Sequence, residues 1–217
     1  MDKIKNAIRI TAAILYFAVA VFAVIQAALP AEQSSEVSAS FAIFTGLFGE
    51  GVTEIQVLDK TVTFEDFASF LRKLVGHFGL FGFLGFLGFI AASGFKDNSK
   101  WLIIDLLTTF FFAALTETIQ LVTPGRGGLF SDVVLDMQGA VMSVCALAAI
   151  QSVYFYFKRV SMKKSAYIAA LFYVAFIALY FGFNSGSLNT TICFYIYLIT
   201  GGISSLLSLI FSHLRKI

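Results

Sequence analysis

Charge is the first thing this chain lacks. Asp, Glu, Lys and Arg make up 13% of its 217 residues, about half the share of a soluble domain. Hydrophobic residues fill 59% of it, with 26 phenylalanines, and no soluble core of this length could hide so much apolar surface. The sequence therefore reads as an integral membrane protein. A net charge of +2 gives a nucleic-acid backbone little to bind, which excludes that partner class. Cysteine is nearly absent as well. Cys145 and Cys193 each lie in an apolar run without redox or metal-ligand spacing. They read as small core hydrophobes, so no disulfide, metal or other cofactor is expected. A phosphate loop and a serine-nucleophile motif are both missing. No inverted repeat relates the two halves, which argues against a transporter.

What the chain has in quantity is apolar length. A spanning helix needs about 20 mostly apolar residues, and six stretches qualify: 7–29, 73–95, 101–123, 133–157, 165–183 and 191–211. The predicted fold is all-α and polytopic, with about six transmembrane helices. The first stretch follows Lys3, Lys5 and Arg9 and could imitate a signal peptide. Its apolar run is longer than a signal core, and Pro30 stands where a small-residue cleavage site is wanted, so it reads as a membrane anchor. With the N-terminus inside, 11 of the 15 basic residues fall on the cytoplasmic side, leaving Lys60, Arg72, Lys73 and Arg126 outside. The positive-inside rule then places both termini in the cytoplasm. The chain divides into an anchor (1–30), an acidic extracytoplasmic loop subdomain (31–72), a three-helix core (73–157) and a C-terminal two-helix hairpin (158–217).

Within the loop, residues 40–49 are too few to span and are expected at the membrane interface. "EIQVLDKTVTF", residues 54–64, suggests a small hairpin turning at Asp59-Lys60. "TFED", residues 63–66, has the form of a helix N-cap followed by acids in the first turn. The second helix is expected to start there and run inward without a break.

The polar residues inside the spans carry the functional reading. Glu117 lies ~9 Å below Thr123 along the third helix at 1.5 Å per residue, and Gln120 shares its face. A bare carboxylate costs roughly 2.5–3.5 kcal/mol at mid-membrane even on a lenient scale. It must either protonate or find a partner. Arg126 follows in "TPGRGG", where Pro124 ends the helix and the glycines allow the loop to turn Arg126 back toward Glu117. A purely structural ion pair that fixes helix register is the plain alternative. Asp132 and Asp136 are one turn apart on the fourth helix. Asp132 could instead cap that helix with Ser131. Gln138 lies on a different face and is a weaker candidate. His77 sits one turn into the second helix; alone it would read as a packing residue, but its depth matches Glu117, Gln120 and Asp136. Together they suggest a polar, outward-opening cavity between the second, third and fourth helices. Asp105, at the other end of the third helix, is expected to pair with Lys100 or another interfacial base.

Gly76, Gly79, Gly82, Gly85 and Gly88 recur every three residues. Such a stripe allows a neighbouring helix to cross closely, or else marks a segment overwound toward 3₁₀. In the last two helices, Gly201/Ser205 and Ser204/Ser208/Ser212 are small-residue pairs suited to helix contacts.

"RKLVGHFGLFGFLGFL" followed by "ETIQLVTPGRGGLFSDVVLDMQGA" resembles the VanZ-like family of bacterial membrane proteins. The resemblance covers roughly residues 72–148. It rests on Arg72, Lys73, His77, Phe78, Glu117, Gln120, Pro124, Gly125, Arg126, Asp132 and Gly139. The chain departs from the family pattern at Leu80, where an acid is frequent, and at Asp136, where Asn is common. The resemblance implies a multi-pass protein of the bacterial plasma membrane, with a role at the cell envelope and in resistance to glycopeptide antibiotics, teicoplanin in particular. Three readings of function follow. A binder would hold a lipid-linked cell-wall precursor, another anionic lipid headgroup or the glycopeptide itself, through Arg126, Gln120, Asp132, Asp136, Arg72 and Lys73. An intramembrane enzyme would use Glu117 as acid or base with His77 as its partner. A structural helper would meet another membrane protein through the last two helices.

Overall fold

A backbone in hydrocarbon must satisfy its own hydrogen bonds, which leaves an apolar chain of this kind little but helix. The computed structural model describes residues 2–44, 54–57, 60–92, 99–158, 163–183 and 187–214. The order is α1 (Asp2–Ala28), α2 (Ala31–Phe44), β1 (Glu54–Val57), β2 (Lys60–Thr63), α3 (Phe64–Leu71), a π-helical segment (Arg72–Gly79), α4 (Leu80–Ala92), α5 (Ser99–Val122), α6 (Phe130–Phe157), α7 (Lys163–Phe183) and α8 (Leu188–His213). Among the described residues, 6 helices are long and apolar enough to cross a membrane. The protein is an all-α multi-pass membrane protein.

The second span runs unbroken from Phe64 to Ala92. The hydroxyl of Thr63 accepts a hydrogen bond from the backbone N–H of Asp66 at 3.1 Å, so the helix starts where "TFED" says it should. Just before it, β1 and β2 pair antiparallel with Val57 opposite Lys60. Lys60 is therefore strand rather than part of the expected turn at Asp59-Lys60, and Asp59 lies outside the described residues. The helix α2 has no counterpart in the expectations, because "AEQSSE" shows no membrane-like run. It is fastened at its start, where Ser34 N–H donates to the Pro30 carbonyl at 3.0 Å and Ala31 N–H to that of Pro124 at 3.4 Å. Residues 45–49 of the expected interfacial stretch lie outside the described residues.

The glycine stripe corrects one expectation and supports another. Its first part is not overwound but underwound: Arg72–Gly79 is π-helical. A Cβ at Gly79 would come within 3.0 Å of the carbonyl oxygen of Leu74, five residues earlier. That is the carbonyl a π-type bond brings beneath residue 79, so glycine there removes the crowding. Farther along, the stripe provides close crossing. A Cβ at Gly85 would strike the backbone of Ala140, and one at Gly139 would strike the carbonyl of Phe78.

The helix α6 is the centre of the bundle and packs against α4, α5, α7, α8 and the π-helical segment. One core joins Leu102 and Leu106 of α5 to Val141 and Val144 of α6 and to Phe194 and Tyr197 of α8. A second joins Ala12, Tyr16 and Ala20 of α1 to Phe81, Leu84 and Leu87 of α4. The first span thus packs intimately on its neighbours. Tyr16 shares a 3.0 Å hydrogen bond with Thr109, and Arg9 donates to the carbonyl of Ala91 at 3.1 Å. Outward-facing Phe17, Phe111, Leu171 and Leu206 are exposed, as lipid-facing side chains should be. The small residues of α8 are used within the chain: Ser208 meets Ser152 at 3.2 Å, and Ser205 donates to Cys145 Sγ at 3.3 Å.

Asp105 does not pair with Lys100. It is buried against Gly88, and its Oδ2 has no hydrogen-bond partner among the described residues. Burial behind α4 keeps it from reaching an interfacial base.

The close crossing predicts the effect of added volume. Gly139→Val should lower the thermal midpoint in detergent, since the obstacle is backbone and overpacking costs about 1–3 kcal/mol of stability. Gly127→Ala should be silent in the same melting assay, because nothing lies within 4 Å of a Cβ there.

Candidate functional site

Lys73 and His77 are four residues apart in the π-helical segment, and Asp132 and Asp136 are four apart in the first turns of α6. The two spans run in the same direction, so the pairs meet in register. The Lys73 ammonium bonds to the Asp132 carboxylate, and His77 Nδ1 lies 3.0 Å from Asp136 Oδ1. His77, Asp132 and Asp136 are all buried, Asp136 completely so, at 0% exposure. Asp132 is therefore not the helix cap. Leu129, extended at φ −126° and ψ 131°, occupies that position without a side-chain cap. The lysine charge holds the Asp132 carboxylate more strongly than a neutral N–H would.

The third contribution comes from the last turns of α5. Glu117 Oε1 accepts from Gln120 Nε2 at 2.8 Å and lies 3.8 Å from His77 Nδ1. Glu117 Oε2 accepts from the backbone N–H of Leu129 at 3.0 Å. The loop reaches that far back because of its glycines. Gly125 has φ +72°, a left-handed conformation that favours glycine, and a Cβ at Gly128 would collide with the carbonyl of Glu117.

Arg126 does turn back toward Glu117, but the two do not pair. Its Nη2 donates to Gln120 Oε1 at 2.8 Å, and its Nη1 to the carbonyls of Gln26 at 3.2 Å and Leu29 at 3.5 Å. Gln120 stands between acid and base, donating its amide N–H to Glu117 and accepting from Arg126 at its amide oxygen. The carbonyls at the end of α1 compete for the guanidinium because a helix C-terminus leaves its last carbonyls unbonded and partly negative. Burial, and secondly the nearby charge of Arg72, push the Arg126 pKa below the ordinary arginine value, with Glu117 opposing.

Two cavities meet at this cluster. The larger, of about 350 Å³, lies between α1, α2, the second span and α5. Its walls are mostly apolar and include Phe22, Ala23, Leu71, Val75, Leu80 and Phe81. The smaller, of about 190 Å³, is lined by Ser69, Lys73, Gly125, Gly127 and Asp132 among others. Both cavities are bordered by Arg72, His77, Gln120 and Arg126. The expected polar cavity between the second, third and fourth helices thus corresponds to the smaller space. The larger one opens toward α1 and α2 instead, since α6 packs too closely on the second span to leave room.

All eight residues singled out from the sequence, Arg72, Lys73, His77, Glu117, Gln120, Arg126, Asp132 and Asp136, gather at this end of the bundle. Sequence reasoning missed the carbonyls of Gln26 and Leu29, the N–H of Leu129 and the wall supplied by α2. Gln26, a lone amide within the first apolar run, was the available signal. Among the described residues, His77, Glu117 and Asp136 are also able to hold a metal ion, each offering one ligand atom, all within 4.8 Å of one another. The sequence expectation of no metal rested on local spacing, which cannot register ligands drawn from three helices.

The profile of the VanZ/LLP1 family matches residues 10–152. The chain belongs to the VanZ/LLP1 family. The match takes in α1 from Ile10 onward and continues through α6 as far as Ser152, and so includes every residue of the cluster; it is wider on the N-terminal side than the motif-bearing stretch. No curated protein and no solved structure matches the chain. In this VanZ/LLP1 protein α7 and α8 lie beyond the family match and contribute nothing to the walls of the larger cavity.

The Lys73–Asp132 pair makes a stability prediction. Removing one partner leaves a poorly solvated charge, so Lys73→Met alone should cost about 3 kcal/mol, the lower end for a broken buried pair. The double variant Lys73→Met/Asp132→Leu should recover much of that loss, as read from thermal unfolding in detergent.

Proposed function

We propose that this VanZ/LLP1 protein works in the bacterial plasma membrane with the site end facing outward, and that it binds a phosphate-bearing, lipid-linked envelope molecule there. The observation that carries this reading is the junction of the two cavities. The apolar cavity has a volume suited to part of an acyl or polyprenyl chain. At its polar end stand Arg72 and Arg126, cations close enough for one to disfavour the charge of the other. An anion between them relieves that repulsion. Arginine suits phosphate through its planar fork. Arg126 uses three hydrogen bonds to fix its position out of five N–H donors, and Arg72 is exposed with no ion pair among the described residues. The excess of positive charge at the opposite end of the bundle supports the orientation.

Occupation of the site by a lipid-linked wall precursor would shield it from glycopeptide capture, which accounts for the teicoplanin resistance implied by the family resemblance. A second reading, chemical turnover of the bound lipid, is favoured by one specific feature: His77 is held by Asp136 with Glu117 alongside, the residue types acid–base chemistry uses.

The test uses wild type, Arg126→Ala and Glu117→Gln in a glycopeptide-sensitive host, with membrane protein level measured alongside susceptibility. Arg126→Ala should abolish any protection at normal protein level. Its affinity for purified lipid-linked precursor should fall by about ten- to a hundredfold, matching the 1.5–3 kcal/mol of a charge-assisted hydrogen bond. Unchanged susceptibility and unchanged affinity in both variants would reject the proposal. Mass spectrometry of precursor incubated with wild type separates the two readings, since only turnover changes its mass.

A further inference from the structure

We infer that His77, Glu117 and Asp136 form a site for a first-row divalent cation, of the Zn²⁺ or Mn²⁺ type. This goes beyond lipid binding and does not depend on it. The three side chains come from the π-helical segment, α5 and α6, and their ligand atoms lie within 4.8 Å of one another. His77 Nδ1 is 3.0 Å from Asp136 Oδ1 and 3.8 Å from Glu117 Oε1. Ligands around an ion bonded at about 2.0–2.2 Å stand roughly 3–3.5 Å apart, so small side-chain adjustments suffice to enclose one.

A second, independent observation points the same way. Asp136 is fully buried, and its Oδ2 has no hydrogen-bond partner among the described residues. A single imidazole N–H at Nδ1 serves one carboxylate oxygen, not two carboxylates. Lys73 is engaged with Asp132, and Arg126 with Gln120 and the end of α1, while Arg72 makes no ion pair with either carboxylate among the described residues. A dication would neutralise both carboxylates and give Asp136 Oδ2 a partner.

The surroundings are those of a metal site. Glu117 is oriented by Gln120 Nε2 and Leu129 N–H, one on each oxygen, as outer-shell groups orient metal ligands. His77 borders both cavities, so three protein ligands would leave an open position on the side where a phosphate could enter. One imidazole and two carboxylates favour Zn²⁺ or Mn²⁺ over Cu(I), which prefers sulfur, and over Mg²⁺, which prefers oxygen alone.

The chain has two histidines, and the other, His213, pairs with Tyr167 at the end of α8. This permits a test that leaves His77 intact. Full-length His213→Ala protein, carrying a histidine-free affinity tag, is purified in detergent, stripped with chelator and reloaded with Zn²⁺ alone. The expected result is one tightly held Zn²⁺ per chain, with an X-ray absorption spectrum showing only nitrogen and oxygen ligands, one of them imidazole. That imidazole can come only from His77. Mn²⁺ should compete and give a broadened paramagnetic resonance signal. Glu117→Gln and Asp136→Asn, near-isosteric changes, should each weaken Zn²⁺ binding by at least about tenfold, the loss typical of a metal-site partner, while remaining monodisperse. Failure of the protein to retain Zn²⁺ or Mn²⁺ overturns the inference. So does sulfur in the shell, absence of imidazole, or unaltered affinity in the two folded variants. Should a variant not survive purification, the spectrum of the His213→Ala protein still decides. No lipid is present, so failure here leaves the Arg126 binding assay standing.

Discussion

The arrangement of this end of the bundle follows from the expense of a carboxylate away from water. Glu117, Asp132 and Asp136 are all buried, and each must draw a partner from another element or lose its charge. Asp132 holds Lys73 and Asp136 holds His77, which ties α6 to the second span at two successive turns. Those two contacts require Lys73 and His77 to face α6 together while Arg72 and Gly76 face the larger cavity. The π-helical segment, wider per turn than an α-helix, distributes the side chains in that way. Gly139 then lets the Phe78 carbonyl approach α6 closely enough for both pairs to close. Glu117 has the last claim: it reaches across the loop to Leu129, and the loop can lie that low only because residue 128 is glycine.

The spans were legible in the sequence because hydrocarbon imposes a length and a composition that nothing else in the chain imitates. The depth match of His77, Glu117, Gln120 and Asp136 was legible for a related reason. A polar group inside an apolar run needs others at its own level, so counting residues from the helix ends predicts which will meet. Partner choice at close range was not legible. The expected Glu117–Arg126 pair is replaced by a relay through Gln120, because Arg126 is also attracted by the carbonyls of Gln26 and Leu29. Backbone carbonyls belong to every residue alike and leave no trace in the letters. The same blindness hid the role of α1 and α2 as cavity walls. The glycine stripe shows a further limit. Its period announces room for a neighbour, but not the direction in which the helix is wound, since that depends on which carbonyl each N–H selects.

Burial of polar atoms alone does not mark a site in this protein. Asp105 is buried with Oδ2 unpartnered, and Gln138 is buried with neither amide atom bonded among the described residues. Asp105, however, stands against Gly88, and among the described residues it belongs to no group of ligand side chains. Gln138 adjoins a space of about 10 Å³ lined by Ser131, Tyr180 and Thr190, which is about the room one water needs. Neither place has the volume or the converging charges to hold a solute. The cluster at the cavity junction differs in kind. There Arg72, Arg126, Lys73, His77 and the Asp132 carboxylate border spaces large enough for a ligand, and Arg126, Lys73 and His77 are fixed by hydrogen bonds before anything arrives. Such fixing lowers the ordering cost of binding. Arg72, Arg126 and His77 border the same two spaces, so on the proposed reading an anionic headgroup held by the arginines would lie beside His77. The two proposals thus concern one place: an anion held by the arginines would adjoin the histidine that Asp136 and Glu117 flank.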